Sequence, residues 1–287
     1  MSALTRRGLI GAAAAVALAP RLASAAPFRE GHLDVGGGRL WHWDTGGAGE
    51  PLVLLHPGTG SHDSWVAQRD VLARAGYRVI AYARWGYAPS DKPPAVRRPE
   101  LEDLRAVLDA LRLDRAHLVG VAAGSGIVAP FVAAYPQRVR SAALFSSLLG
   151  ISDPWVKAEI DRLRPKGFGD LPSEFRELGP SYRVASPEGV KRWLEIEHRR
   201  APLIPPEVRT STTLGALAAT RRPLLLATGD ADLFSPPALM RKAAGLLPDA
   251  TYRTIDDSGH APFWEQPEQF NRALLGFLQN LRKRKGR

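Results

Sequence analysis

Residues 116–126, Ala-His-Leu-Val-Gly-Val-Ala-Ala-Gly-Ser-Gly, carry the clearest chemical pattern in the chain. A short apolar run, His117 to Val121, meets a cluster of small residues, and a helical pattern follows at once. That is the shape of a nucleophile elbow, a sharp strand-to-helix turn that holds one reactive side chain above the end of a sheet. Positions two before and two after the apex must be small, because a branch there collides with the neighbouring backbone. Gly120 and Gly124 fit those places. The apex is then Ala122, where a serine, cysteine or aspartate is expected, and an alanine methyl cannot attack anything. Taking Ser125 as the apex instead puts Ala123 and Ile127 at the small positions, and Ile127 does not fit.

Other chemistries lack their signatures. There are no cysteines, hence no disulfides and no thiolate nucleophile. No HExxH, P-loop or dinucleotide glycine fingerprint is present, so neither a metal nor a nucleotide cofactor is expected. The formal net charge of +10 is concentrated at the two ends. Three arginines and no acid lie in the first 25 residues, and five more basic residues lie in the tail Arg282–Arg287, which leaves about +2 on the body. A basic tail could touch nucleic acid or anionic lipid. A solvated helix end that favours cations is the simpler account, so no nucleic-acid partner is expected.

The elements that must position a site come next. Thr5-Arg6-Arg7-Gly8-Leu9-Ile10 is a twin-arginine pattern, an alanine-rich apolar stretch follows, and Ala23-Ser24-Ala25 offers a cleavage site. This predicts a signal over 1–25, export to the periplasm or medium, and no stable membrane insertion once it is cleaved. The alternative is an uncleaved anchor, although the apolar run is far shorter than the ~20 residues a spanning helix needs. His32 to Asp44 reads as two strands around Gly36-Gly37-Gly38, and Pro51–Leu55 and Tyr77–Tyr82 as buried strands. Leu101, Leu104, Val107, Leu108 and Leu111 share one helical face. A helix follows the 116–121 strand to Tyr135, with Pro130 expected to kink it, and Ser141–Ser147 is another strand. From 151 to 213 strand-length apolar runs vanish, which predicts a helical cap inserted between two parts of one core, 26–150 and 214–287. Alternation resumes with strands Pro223–Thr228 and Thr251–Ile255, a helix between them, and a last helix from about Pro267. Alternating strands and helices imply an α/β fold, its mostly parallel sheet covered on both faces, with sites at the strands' C-terminal ends.

These segments resemble the α/β-hydrolase fold family, in its capped branch. Leu54-Leu55-His56-Pro57-Gly58 is similar to the family's His-Gly motif, with Pro57 in the glycine place. Arg84 to Pro93 resembles the loop after the fourth strand, and Ala134-Tyr135-Pro136-Gln137-Arg138-Val139 the exit from the helix after the elbow. Gly229-Asp230-Ala231-Asp232 looks like the acid loop, and Asp257-Ser258-Gly259-His260-Ala261-Pro262 the histidine loop. Each motif is weak alone; together, in order, they cover nearly all of the chain after residue 25.

The resemblance implies acyl transfer: a serine attacks a carbonyl, a histidine takes its proton, and an acid orients the imidazole. By position His260 is the base and Asp232 its orienter, with Asp230, Asp256 and Asp257 as alternatives. The implied oxyanion donors are the backbone N–H groups of Gly58 and Ala123. His56 is expected to brace its loop and His117 to start a strand. Ala122 is the departure from the family pattern. An engineered serine-to-alanine change is opposed by Val121 and Ala123, also small or apolar where the family often is not, and by the intact leader. Three functions stay open: direct activation of water by the Asp232–His260 dyad, proton abstraction by His260 in a lyase or isomerase, and ligand binding without catalysis. Trp155, Phe168, Phe175, Tyr182 and Trp193 suggest an apolar lid, and with it a small apolar or ester-like substrate.

Overall fold

A computed structural model describes residues 28–199 and 210–285. The twin-arginine stretch and its cleavage site lie outside the described residues, as do 200–209 and the last two residues of the basic tail.

The apolar runs form one eight-stranded sheet. In chain order its strands are β1 (Arg29–Asp34), β2 (Arg39–Asp44), β3 (Glu50–Leu55), β4 (Tyr77–Tyr82), β5 (Ala116–Val121), β6 (Val139–Phe145), β7 (Leu224–Gly229) and β8 (Ala250–Ile255). In space they run β1-β2-β4-β3-β5-β6-β7-β8. β1 and β2 form an antiparallel hairpin, β2 joins β4 antiparallel, and every pairing from β4 to β8 is parallel. The period-two geometry of a strand sends alternate side chains to opposite layers. Leu52 and Leu54 of β3 join one core with Trp65, Leu72 and Phe270, while Val53 and Leu55 join the other with Leu104, Phe131 and Met240. Two apolar layers need helices on both faces, and the helices α1 (Val66–Arg74), α2 (Glu100–Ala110), α3 (Ala123–Ala134), α8 (Leu214–Ala219), α9 (Pro237–Gly245) and α11 (Pro267–Lys285) supply them. α3 continues unbroken through Pro130.

Strand order reverses between β3 and β5: the chain steps outward from β3 to β4, returns past β3 to β5, and then proceeds the other way. In open α/β sheets such a switch point leaves a crevice beyond the strands' C-terminal ends. The loop at Pro57 and Gly58 and the turn at Ala122 both border it.

Between β6 and α8 the described residues hold no named strand. They form α4 (Pro154–Leu163), α5 (Ser173–Glu177), α6 (Pro180–Ala185) and α7 (Pro187–Arg199). A parallel bridge, Ile151 to Thr212, ties the two ends of this insertion together, and Asp153 Oδ2 accepts the N–H of Leu214 at 2.8 Å. The α5–α6 corner lies against the loop carrying His260, because His260 N donates to the Glu177 carbonyl at 2.7 Å. Of the five insertion aromatics expected to form a lid, only Trp193 lines the cavity beside His260. Phe168 stacks edge-on against Phe234, Trp155 and Tyr182 pack against the cores, and Phe175 is largely exposed beneath Arg183. Aromatics that pack helices give the same sequence signal as aromatics that cover a pocket.

Candidate active site

The turn from β5 into α3 is shaped by close backbone contact and pinned by hydrogen bonds, among them that of Ala122 N to the Phe145 carbonyl at 3.0 Å. Ala122 has φ 49° and ψ −111°, a left-handed conformation unusual for a residue with a Cβ. Such strain persists only where the surroundings over-determine it. Here they do: a Cβ on Gly124 would lie 2.2 Å from the Leu55 carbonyl oxygen, and one on Gly120 would lie 2.5 Å from the Gly124 carbonyl carbon. Ser125 is fully buried, and its hydroxyl lies 2.8 Å from the Gly120 carbonyl and 3.0 Å from that of Phe145. It knits the helix start to the sheet and does not line the cavity.

Opposite Ala122, the loop after β3 is fixed by one peptide oxygen. The Pro57 carbonyl accepts from His56 Nδ1 at 2.7 Å, Arg84 Nη2 at 3.1 Å and Gly60 N at 3.3 Å. A trans peptide points its N–H away from its C=O, so these three donors aim the Gly58 N–H the other way. The buried imidazole of His56 is held neutral, since burial foremost and then the Arg84 charge push its pKa well below the ordinary value. Its Nε2 accepts from Arg84 N at 3.2 Å, which fixes the proton on Nδ1. The Gly58 carbonyl is held in turn by the Tyr87 hydroxyl at 2.8 Å. Among the described residues the N–H groups of Gly58 and Ala123 make no hydrogen bond, and both residues line the cavity. The Ala123 N–H also sits in the first turn of α3, the end where a helix favours negative charge.

Asp232 and His260 lie in direct contact on the third side. His260 Nδ1 is 3.0 Å from both Asp232 oxygens. Asp232 is buried, and its Oδ1 accepts the N–H groups of Phe234 at 2.8 Å and Ser235 at 2.9 Å, while the Thr228 hydroxyl lies 2.7 Å from Oδ2. Burial alone would raise this carboxyl, but the His260 charge and these donors outweigh it and hold it below the usual carboxylate range. Burial likewise opposes the charged imidazole, yet the Asp232 carboxylate overcomes it, helped by Glu177 and Glu265, and His260 is more basic than a free histidine. With Nδ1 turned to Asp232, Nε2 is the nitrogen left for the cavity, as a proton acceptor. The alternative acids do other work: Asp230 accepts the N–H groups of Asp257 and Ser258 and shapes the histidine loop.

Two carboxylates escape the sequence reading. Glu265, in α10 (Pro262–Glu265), takes the N–H groups of Gly179, Gly259 and Ala261, at 2.6 to 3.1 Å. It thereby clamps the insertion to the histidine loop. Glu177, at the end of α5, lines the cavity and holds Thr59 Oγ1 and Trp193 Nε1, each at 2.8 Å. Glu177 reaches Thr59 and Glu265 reaches Gly179 across long stretches of sequence, although Gly259 and Ala261 lie only six and four residues from Glu265.

The cavity enclosed by these groups has a volume of about 500 Å³, room for a small organic molecule. Ala122 and His260 both line it, and the insertion contributes Val156, Ile160, Arg164, Arg176, Glu177 and Trp193 among others. Among the described residues no group of His, Asp and Glu could hold a metal ion, and no helix is long and apolar enough to cross a membrane.

Comparison with known proteins agrees with this architecture. A 2-hydroxy-6-oxononadienedioate/2-hydroxy-6-oxononatrienedioate hydrolase of Pseudomonas putida is 29% identical over 89% of this chain and 96% of its own length. The malate-bound thermophilic esterase of Thermogutta terrifontis superposes with a TM-score of 0.69 at 25% identity, over 88% of this chain and 99% of that one. The bromoperoxidase of Bacillus anthracis shares the fold at TM-score 0.72 and 23% identity, over 88% and 100%. The family model for the alpha/beta hydrolase family matches residues 52–273, a span running from β3 into α11, and the chain belongs to that family.

Proposed function

We propose that this chain is an exported enzyme acting on a small apolar or ester-like molecule, using Asp232 and His260 with no nucleophile at the elbow. The observation that carries the reading is the Asp232–His260 pair, a buried carboxylate 3.0 Å from an imidazole that opens on a cavity also lined by Gly58 and Ala123. Ala122 takes the place of the family's serine, so no covalent acyl-enzyme can form there. His260 Nε2 instead removes a proton from water as the hydroxide attacks the substrate carbonyl. The N–H groups of Gly58 and Ala123 hold the oxyanion, Asp232 stabilises the imidazolium, and the proton passes to the leaving group. Sites stripped of their serine retain about 10³–10⁴-fold acceleration over water, so the substrate is an activated one. The insertion acts as a cap over 151–213. Residues 1–25 are read as a twin-arginine export signal, to be tested by the loss of export in an Arg6→Lys, Arg7→Lys variant.

The methyl of Ala122 also favours a second reading, in which the pocket binds a ligand without turnover or His260 abstracts a proton from a carbon acid. One set of variants separates these. A fluorophosphonate serine probe should leave the wild type unmodified and label Ala122→Ser, whose new hydroxyl stands within ~3 Å of an oriented imidazole. Wild-type labelling at Ser125 overturns the assignment of the apex. His260→Ala should abolish native turnover, whereas ligand binding by a non-catalytic pocket should survive it.

A further inference from the structure

Half-buried arginines in this chain mostly face carboxylates: Arg78 meets Asp44 at 2.6 Å, Arg98 meets Asp103 at 2.6 Å and Arg138 meets Asp109 at 2.7 Å. Arg164 and Arg176 line the cavity and differ. Among the described residues neither is ion-paired, and the Nε of each is buried without a hydrogen-bond partner. Lys157, the third cation at the cavity, pairs with Asp161. Both side chains are half-buried, so each keeps part of its hydration, but a buried N–H without an acceptor is costly and neither charge is met by a carboxylate among the described residues.

Arg164 is also held in place. Its guanidinium lies over the Phe168 ring at 4.7 Å and near the Phe234 ring at 5.6 Å, and Nη2 donates to the Phe234 carbonyl at 3.3 Å. The same Phe234 ring also touches the chemistry, since it lies against the His260 ring with centroids 4.3 Å apart and planes inclined at 34°. One aromatic ring therefore separates this cation from the imidazole. A planar guanidinium that lines the cavity without a counter-ion is matched in charge and shape by a carboxylate.

We propose that Arg164, assisted by Arg176, forms an anion subsite in the cavity, so that the substrate carries a carboxylate a few bonds from its reacting carbonyl. A monoanion fits better than a phosphate dianion, because the carboxylates of Glu177 and Glu197 share the same walls and offset the two arginines. This deepens the reading of the cavity as a substrate site and rests on it.

Calorimetric titration of the purified protein with monomethyl glutarate and with dimethyl glutarate tests the subsite without requiring turnover. The half-ester should bind about tenfold more tightly than the diester, the effect of one charge-assisted pair after competition with water. Added sodium chloride should weaken only the half-ester. Arg164→Gln should erase the preference, and Arg176→Gln should reduce it. If Arg164→Gln does not fold, Arg164→Lys keeps the charge but loses the fork and should retain only part of the preference, and Arg176→Gln remains informative. Equal binding of both esters, a preference unchanged in Arg164→Gln, or inorganic phosphate binding as tightly as the half-ester overturns the proposal. A wild type that keeps the preference yet turns over no activated ester defeats the catalytic reading and leaves the subsite standing.

Discussion

The two walls of the cavity are fixed by different physics. On the elbow side, Gly120 and Gly124 let backbone meet backbone, and steric contact sets the shape that Ser125 Oγ and Ala122 N then pin by hydrogen bonds. On the histidine side, Thr228, Phe234 and Ser235 converge on Asp232 and directional hydrogen bonds define it. Only the second wall presents a side chain able to move a proton. The first keeps a left-handed Ala122, a strain of about 1–3 kcal/mol, without a reactive group to display. The turn still has a use under the proposed chemistry, because it sets the direction of the Ala123 N–H. A backbone donor makes no demand on the side chain at the apex, so the geometry and the nucleophile are separable.

The largest effect should come from breaking the contact-built wall. In Gly124→Ala the new methyl must displace the Leu55 carbonyl, a part of β3 that cannot yield without disrupting the sheet. A loss of about 3–5 kcal/mol is expected, read as a fall in the urea midpoint. Gly276→Ala is the control, since a Cβ there meets nothing within 4 Å in mid-α11. It should stabilise by about 0.5–1 kcal/mol. Equal stability of the two variants would show that the elbow is not held by contact.

Breaking the directional wall should affect turnover more than folding. Asp232→Asn removes the charge that makes His260 basic and invites the wrong imidazole tautomer, so kcat should fall about a thousandfold or more. The sign of the pH effect is fixed by the shifts. Turnover needs neutral His260 and rises with pH through its elevated pKa, so losing Asp232 should move the acid limb to lower pH. In the wild type the pair's stabilisation is lost as pH falls through the depressed Asp232 pKa. It is also lost as pH rises through the elevated His260 pKa. Urea midpoints measured across that window should be flatter in the variant, and an unmoved acid limb would assign the titration to another group.

How far each wall could be read in the sequence follows from the same contrast. The elbow was legible because steric rules act within five residues: glycines flank an apex, and an apolar run precedes it. The sheet was legible from strand-length apolar runs, and its two-sided burial from their continuity. Asp232 and His260 were legible as partners only through family motifs, since 28 residues separate them. Glu265 and Glu177 were not legible, because their partners at Gly179, Thr59 and Trp193 come from segments that meet only once the insertion folds back. The aromatic residues of the insertion misled for the same reason: periodicity gives the face a side chain occupies, not which neighbour covers it.

The smallest effect tests whether the insertion clamp matters to the site. Glu265 is a second buried carboxylate beside His260, but it faces neutral backbone N–H groups where Asp232 faces an imidazole. Burial therefore prevails over the pull of Gly259, Gly179 and Ala261, and its pKa is raised. An acid that binds its proton more readily when folded makes the protein more stable as pH falls through the raised value toward the ordinary one, the reverse of Asp232. Glu265→Gln keeps the shape and one acceptor but turns an N–H₂ toward backbone donors, at a cost of about 1–3 kcal/mol. Its stability should lack the acid-side gain of the wild type. The loop from Gly259 to Ala261 should loosen, lowering kcat by about tenfold with little change in KM, as expected when a base is misplaced but the pocket remains. Loss of stability with turnover intact would mean that the histidine loop holds its geometry without the insertion.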